Sequence, residues 1–416
     1  MWYRSACLGA LLVFGLMGCT GSRPAVSNET PLPAGLTPSE QKLWRISAQE
    51  AERLQRTGLL YSDPLLEDYV QQLGERLVPE PHTVPADFRF HVIADPEANA
   101  FALPDGNIYV HLGLLARLQS EAQLAQVLSH EVHHVIDRHA VTGYDQQRSV
   151  SGTTQVLSLA AAIGFGAVGG AVAQFWGGVS QLGLALTANA SVNGHGRAAE
   201  ESSDLYAVQA LQAEGYNTCA AVEVFDILLD EYGQPSAAAT FFYADHPQLT
   251  RRKAYSLERA EALAGKSLAC TEVQVDSAYL ARMAHVRAAQ IELWVRGEQY
   301  ARAIPAADHA IATDSSNAAL HFWLAEALYH GSSDSLTVER AEDEYWAAAA
   351  LDTTYAAPYR GLGVLAEAEG DTAAAVEAYT FYLHLDPEAK DRRYIRRRID
   401  ELSSAPPASG EASSDS

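Results

Sequence analysis

The sequence predicts a mainly α-helical protein with one small β-sheet, divided into two folded domains. At 416 residues the chain is long enough for two or three domains. Much of it places apolar residues at helical spacing, whereas residues 88–93 and 107–111 alternate as strands do. From about residue 286 the helices become rich in Ala and recur in similar units, which indicates a second, repetitive domain.

Composition excludes some classes of function. Hydrophobic residues make up 48% of the chain, which is enough for real cores, and the formal net charge is −23. Nucleic-acid binding depends on Lys and Arg that neutralise phosphates, so this charge argues against a nucleic-acid partner. It favours solubility and says little about the fold.

The N-terminus is typical of an export signal. Arg4 supplies positive charge, and residues 8–16 form an apolar run that is too short to span a bilayer. The run ends in Leu-Met-Gly-Cys at Cys19, which resembles a bacterial lipoprotein signal. This resemblance implies that residues 1–18 are removed and that Cys19 carries lipid outside the cytoplasm, and Thr20 resembles the outer-membrane sorting pattern. The alternative is an ordinary secretory signal with a chance Cys.

Two cysteines remain after such processing. Cys7 would be lost with the signal and Cys19 would be lipidated, which leaves Cys219 and Cys270. A lone pair of cysteines in an oxidising periplasm could form a disulfide. Whether this pair does depends on its geometry, which the sequence does not give.

Two helices are predicted before the first strand. Residues 19–38 are rich in Pro, Ser, Thr and Gly and are expected to be a flexible tether. Ser39 is a plausible N-cap for the first helix. Asp63 is expected to cap the second helix, with Pro64 at its first position.

A His-Glu-x-x-His motif lies at residues 130–134, within a stretch of helical periodicity. Positions four apart lie on one helix face, so His130 and His134 could hold one Zn²⁺. Glu131 would then stand beside the metal, where it could accept a proton from water. The alternative is a solvated helix face that carries His and Glu by chance.

The strand that precedes this helix has an obvious use in such a site. Residues 99–104 lead into a turn at Asp105-Gly106, and the strand follows. Its free edge is expected to pair with an extended substrate backbone, with a purely structural hairpin as the alternative. The candidate substrate-binding residues are Asn107, Ile108, Tyr109 and Val110.

A catalytic zinc needs a third protein ligand, and Glu200 on a later predicted helix is the candidate. Asp204 lies one turn on, where it could accept a hydrogen bond from a ligating His. Glu201 points away and is expected to be solvated. A third His six residues after His134 is excluded because that position is Ala140, and His139 is interpreted as a polar helix-end residue.

Residues 149–187 are apolar, free of charge and dense in Ala and Gly. Three interpretations compete, namely a transmembrane hairpin, a segment on the membrane surface and a helical pair packed over the site. Glycines let helices approach closely but also weaken them. The longest apolar run barely reaches spanning length, so a hairpin that covers the cleft and touches lipid is favoured.

Taken together, these motifs resemble the HtpX and CAAX-prenyl-protease family of zinc metallopeptidases. The resemblance covers residues 39–262 and includes Asn-Ala-Phe-Ala-Leu-Pro-Asp-Gly-Asn-Ile-Tyr-Val, the Glu-x-x-x-Asp helix and a downstream His-Pro…Arg motif that ends at Arg252. It implies a zincin domain of the gluzincin type over residues 39–265, with one Zn²⁺ per chain. The family's zinc ligands carry over to His130, His134 and Glu200, and its general base to Glu131. Glu201-Ser202-Ser203 departs from the family pattern, where small apolar residues are more usual.

His246 of the His-Pro motif is a further catalytic candidate. It could reach the metal and stabilise the oxyanion of the tetrahedral intermediate. It could instead occupy the open coordination position and hold the enzyme latent. The third interpretation is a loop His that caps a helix.

The C-terminal third resembles tetratricopeptide repeats. Asp352 and Asp386 begin equivalent turns 34 residues apart, which is the tetratricopeptide period. The repeat domain is expected over residues 280–402, followed by a disordered tail at 403–416. It would offer a concave surface for clients or partners, or simply cap the protease. A basic patch, either a contact for acidic partners or a solvated face, is formed by Arg392, Arg393, Arg396, Arg397 and Arg398.

The sequence therefore predicts a lipid-anchored periplasmic zinc endopeptidase. Its expected substrates are misfolded or stalled envelope proteins, and outer-membrane assembly machinery is a further possible partner. One rival is a chaperone or assembly factor with a latent metal site. An intact Glu131 favours the enzyme, because a scaffold needs the zinc ligands but not the base. The other rival is an integral membrane protease, which requires residues 156–186 to span.

Overall fold

A computed structural model describes residues 32–150, 195–232, 249–271 and 273–404. These ranges contain sixteen helices and three strands, so the predicted fold class, mainly α with a small sheet, is confirmed. The signal and Cys19, the tether up to residue 31, residues 151–187 of the apolar segment, His246 and the tail from residue 405 lie outside the described residues. Among the helices that are described, none is long and apolar enough to cross a membrane.

Helices α1 (Pro38–Thr57) and α2 (Pro64–Leu77) begin the described chain. The cap of α1 is Thr37, not Ser39 as predicted, because Thr37 and Glu40 form a reciprocal capping box with Pro38 at the first helical position. Asp63 caps α2 as predicted, by accepting hydrogen bonds from the N–H groups of Leu65 and Leu66.

The sheet has three strands, β1 (Arg89–Ile93), β2 (Ala100–Ala102) and β3 (Asn107–His111), in the order β1-β3-β2. β1 is parallel to β3, and β2 is antiparallel to it across a tight turn at Gly106. The predicted substrate-binding edge is therefore wrong, because β3 is the central strand and both of its edges are paired. This correction applies to Asn107, Ile108, Tyr109 and Val110.

Six helices complete the N-terminal domain around the sheet: α3 (Leu112–Arg117), α4 (Glu121–Ile136), α5 (His139–Val150), α6 (His195–Ala213), α7 (Ala220–Tyr232) and α8 (Leu249–Ala264). Helix α4 is central and packs against β2, β3, α2, α6 and α7. The open question about the cysteines is settled, since Cys219 and Cys270 form a disulfide that joins the start of α7 to the segment after α8.

The remaining helices stack as a tetratricopeptide-like region: α9 (Ser277–Arg282), α10 (Ala284–Arg296), α11 (Tyr300–Thr313), α12 (Ala318–Gly331), α13 (Ser335–Leu351), α14 (Ala357–Glu369), α15 (Thr372–Leu385) and α16 (Arg392–Ser404). Two glycines of α14 permit its close packing. A Cβ atom at Gly361 would lie 2.4 Å from the Tyr345 ring, and one at Gly363 would lie 2.5 Å from the Tyr379 ring.

The repeat helices pack against the N-terminal domain through α3. The buried Tyr279 hydroxyl donates to the Leu115 carbonyl, and Gln290 donates to the Pro96 and Gly113 carbonyls. Arg302 forms an ion pair with Glu97. Because buried side chains satisfy backbone carbonyls across this contact, the two regions form a specific interface.

Candidate active site

Local sequence dictates the helix that carries the His-Glu-x-x-His motif. Ser120 caps α4 by accepting a hydrogen bond from the Gln123 N–H. A run of apolar side chains then faces the core at helical spacing, which leaves the motif histidines facing α6. The fully buried members of that run are Leu124, Leu128 and Val132.

His130, His134 and Glu200 bring their ligand atoms together at the contact of α4 and α6. The two Nε2 atoms of the histidines are 3.0 Å apart, and they lie 3.5 and 3.3 Å from the carboxylate oxygens of Glu200. A tetrahedral ion with bonds of about 2.0 Å separates its ligand atoms by about 3.3 Å. Two imidazoles and a carboxylate at these spacings could therefore hold a metal ion, and the donor set suits zinc.

Asp204 contacts His130 on the side of the ring away from the ligand nitrogen. Its Oδ1 atom is 2.9 Å from Nδ1 of His130, on the side of the ring opposite Glu200. Burial alone would lower the pKa of His130, but Asp204 and Glu200 outweigh it and raise that pKa to about 9. A carboxylate in this position fixes the orientation of a ligating imidazole, as Asp204 was expected to do.

Arg252 connects the two carboxylates. Its Nε and Nη2 atoms donate to both oxygens of Asp204 at 2.7 Å, and Nη1 lies 2.8 Å from Glu200. Burial would raise the pKa of Asp204, but Arg252 and His130 hold it well below its usual range. Asp204 is therefore a carboxylate at neutral pH, and Arg252 fixes the geometry of both acidic groups.

Two contacts of the site were missed by sequence reasoning. The Tyr255 hydroxyl donates to Asp204 at 2.6 Å, and Nδ1 of His139 lies 3.0 Å from Nδ1 of His134. Tyr255 follows Arg252 by less than one helical turn on α8, and this spacing alone does not predict a contact with Asp204. His139 was interpreted as a helix-end residue; it does begin α5, but its ring faces the site.

A pocket opens beside His130. Glu131 and His130 line it on one side, together with Asp204 and Arg252. Gln126 also lines it, and the remaining lining side chains are apolar: Ala100, Leu114, Val127, Val224, Phe225 and Leu228. Glu131 is thus next to the candidate metal ligands in a largely apolar cavity, a setting typical of an active site.

The fold and this site define a domain of the zinc metallopeptidase class. Comparison with known proteins agrees, because residues 64–260 match the model of Peptidase family M48. The matched residues include the His-Glu-x-x-His helix, the Glu200 helix and the segment that carries Arg252.

Several curated proteins are similar to this domain. The beta-barrel assembly-enhancing protease of Escherichia coli (strain K12) is 29% identical over 55% of this chain and 45% of its own length. The Yersinia pestis protein of the same name is 28% identical over 48% of this chain and 40% of its own. The mitochondrial metalloendopeptidase OMA1 of Schizosaccharomyces pombe is 36% identical over 20% of this chain and 25% of its own. The chain therefore spans less than half the length of these relatives.

Proposed function

We propose that the chain is a zinc-dependent endopeptidase that holds one Zn²⁺ through His130, His134 and Glu200. The observation that carries this proposal is the convergence of the three ligand atoms within 4.8 Å, beside Glu131 in the pocket. A scaffold that merely binds metal needs the ligands but has no use for a carboxylate at that position. The match to Peptidase family M48 supports the same activity.

The reaction we propose is hydrolysis of a peptide bond. Bound zinc would supply the Lewis acidity that activates water and polarises the scissile carbonyl. Glu131 accepts the proton of the attacking water and delivers it to the leaving amine. Asp204 and Arg252 keep His130 and Glu200 in place, so that little reorganisation is needed during the reaction.

Strand β2 is the better candidate for binding the substrate backbone. The Asn99 carbonyl accepts from the His111 N–H, and the Leu103 N–H donates to the Asn107 carbonyl. Phe101 pairs with Tyr109 between them. The backbone groups of Ala100 and Ala102 therefore point away from β3, where the described residues contain no further strand. Since Ala100 also lines the pocket, a substrate strand added there would pass Glu131.

The apolar lining of the pocket supports substrates that expose large apolar side chains. Such side chains are exposed in misfolded or stalled proteins and buried in folded ones. The predicted export signal, the predicted lipidation of Cys19 and the Cys219–Cys270 disulfide together support a periplasmic, membrane-anchored enzyme. The names of the relatives support envelope proteins of the β-barrel type as substrates, with the repeat region recruiting clients or assembly partners.

His246 remains a hypothesis about control of the same site. A histidine that occupies the open coordination position would keep the enzyme latent until a substrate displaces it. His246→Ala should then raise cleavage of an unfolded substrate. Unchanged or lower cleavage would eliminate latency and leave the oxyanion and helix-cap interpretations.

The test of the proposed function is Glu131→Gln in the soluble chain that lacks residues 1–19. Zinc content and casein cleavage are measured side by side with the parent protein. One zinc in each, with cleavage reduced about 10²–10⁴-fold in the variant, is expected, because the amide cannot accept the proton. Normal cleavage by Glu131→Gln would contradict the mechanism, and absence of zinc from both proteins would contradict the metal site.

A further inference from the structure

A second cluster of side chains that could bind a metal lies next to the site just described. His133, Asp137 and His139 each offer one ligand atom, and these atoms lie within 4.8 Å of one another. Nε2 of His133 and Nε2 of His139 are both 3.7 Å from Oδ2 of Asp137. The histidine side chains are mostly buried, at 12% and 13% exposure, whereas Asp137 is half exposed. Solvent therefore reaches the cluster from the Asp137 side.

Two serines of α6 contact these histidines. Oγ of Ser203 is 3.1 Å from Nδ1 of His133, which leaves Nε2 facing Asp137. Oγ of Ser202 is 3.4 Å from Nε2 of His139. A hydrogen bond to the nitrogen away from the metal is the usual support of a metal-binding histidine. Ser203 is placed to support His133 in this way, whereas Ser202 contacts the same nitrogen of His139 that faces Asp137.

We propose that His133, Asp137 and His139 form a second zinc site whose occupation opposes metal binding by His134 and so inhibits the enzyme. Two imidazoles and a carboxylate are a donor set that zinc prefers. The 3.7 Å separations are close to the roughly 3.3 Å between ligand atoms around tetrahedral zinc. The metal-site part stands on this geometry alone, and the inhibitory part rests on the proposed function of the first site.

The antagonism follows from the contact between His134 and His139. Their Nδ1 atoms are 3.0 Å apart and can share one proton. When His134 binds a metal through Nε2, its Nδ1 carries the proton and donates it to His139. His139 then carries its own proton on Nε2, directed at Ser202, whose hydroxyl donates to the Ala199 carbonyl. With one metal in the first site, every group in this series of hydrogen bonds has a partner.

A metal on Nε2 of His139 disrupts this series of hydrogen bonds. As a neutral ligand His139 must then carry its proton on Nδ1, which faces the N–H of His134. Two donors at that distance repel each other, so one ring must turn away. Each metal therefore weakens the binding of the other, and the weaker site fills only when zinc is in excess.

The test is Asp137→Asn, with Asp68→Asn as the matched control. Asp68 is an exposed carboxylate on α2, outside both clusters. Metal-free proteins are titrated with Zn²⁺ alone, and bound zinc is measured by calorimetry and equilibrium dialysis. The parent and Asp68→Asn should bind a second zinc that Asp137→Asn binds at least about tenfold more weakly. A single zinc in the parent, or equal second-site affinity in all three proteins, would overturn the proposal.

Casein cleavage supplies the second readout, with each protein compared with itself at one equivalent and at excess zinc. Cleavage by the parent and by Asp68→Asn should fall at least about fivefold in excess zinc, and that of Asp137→Asn should not. If Asp137→Asn does not fold, His133→Gln takes its place. Two bound zincs without any cleavage would refute the peptidase and keep the second site, whereas cleavage with one zinc only would refute the second site and keep the peptidase.

Discussion

The cluster around α4 and α6 and the helices of the repeat region are stabilised by different kinds of contact. In the cluster, four ionisable side chains from three helices meet with 5% exposure or less. The partners are far apart in sequence, since Arg252 contacts His130 across 122 positions. The four side chains are His130, Glu200, Asp204 and Arg252.

The repeat region is built from contacts between neighbours in sequence. Each helix packs mainly against the next, through small apolar residues and through rings such as those of Tyr345 and Tyr379. Several of its ion pairs lie near the surface, as for Arg340 and Asp308, which are both 43% exposed. Three arginines of the predicted basic patch also pair within the region: Arg392 with Glu388, Arg397 with Glu401 and Arg398 with Glu367.

This difference predicts how substitutions in each region would affect stability. Removing one member of the buried cluster leaves an opposite charge without compensation, which is costly. Removing one surface pair in the repeats costs little, because water replaces the lost partner. Packing matters most in the repeats, whereas the pairing of charges matters most in the site.

Arg252→Met should produce the largest loss of stability. It leaves Asp204 and Glu200 buried beside each other, so the metal-free protein should lose about 3–5 kcal/mol of unfolding free energy. The control is Arg340→Met in the repeats, which should cost less than about 1 kcal/mol. Urea titration of both variants measures the contrast, and equal losses would show that the buried cluster has no special role in stability.

Gly361→Ala tests the packing of the repeats. The new methyl group would meet the Tyr345 ring at 2.4 Å, so the helices must separate, at a cost of about 1–3 kcal/mol. The double variant with Tyr345→Leu should recover part of this loss, because the ring is gone. Thermal unfolding of the single and double variants gives the coupling energy. A simple sum of the two losses would mean that the contact is not tight.

Zinc affinity should depend on pH through His130. Its pKa of about 9 in the metal-free protein means that it is protonated at neutral pH and must lose that proton to bind a metal. Affinity should therefore rise about tenfold per pH unit up to about pH 9 and then level off. Calorimetry at pH 7.5 in buffers of different ionisation enthalpy should show release of about one proton. No proton release would mean that His130 is neutral before zinc binds.

Features set by local sequence could be predicted. The cap and apolar spacing of α4 place His130 and His134 on one face, and the need for a third ligand singles out Glu200 on the next suitable helix. The repeats were visible for the same reason, because their contacts lie within or between adjacent helices. The cap of α1 was misplaced by two residues, since Thr37 and Ser39 are both good capping residues and the partner Glu40 decides between them.

Features set by distant contacts could not be predicted. β2 has only three residues, too few to show alternation, and without it β3 was expected to be an edge. Arg252 could be recognised as a motif position, but its bond to Asp204 depends on how α8 packs against α6. The contact of His139 with His134 depends on the sharp turn at Arg138, whose φ of 54° brings α5 back towards the site.

The most direct test of the central claim is to locate the zinc. Crystals of the chain lacking residues 1–19, prepared with one equivalent of zinc, would be measured at the zinc absorption edge. We expect one anomalous peak within about 2.0–2.2 Å of Nε2 of His130, Nε2 of His134 and a carboxylate oxygen of Glu200. A peak only at His133, Asp137 and His139, or none at either cluster, would contradict the account.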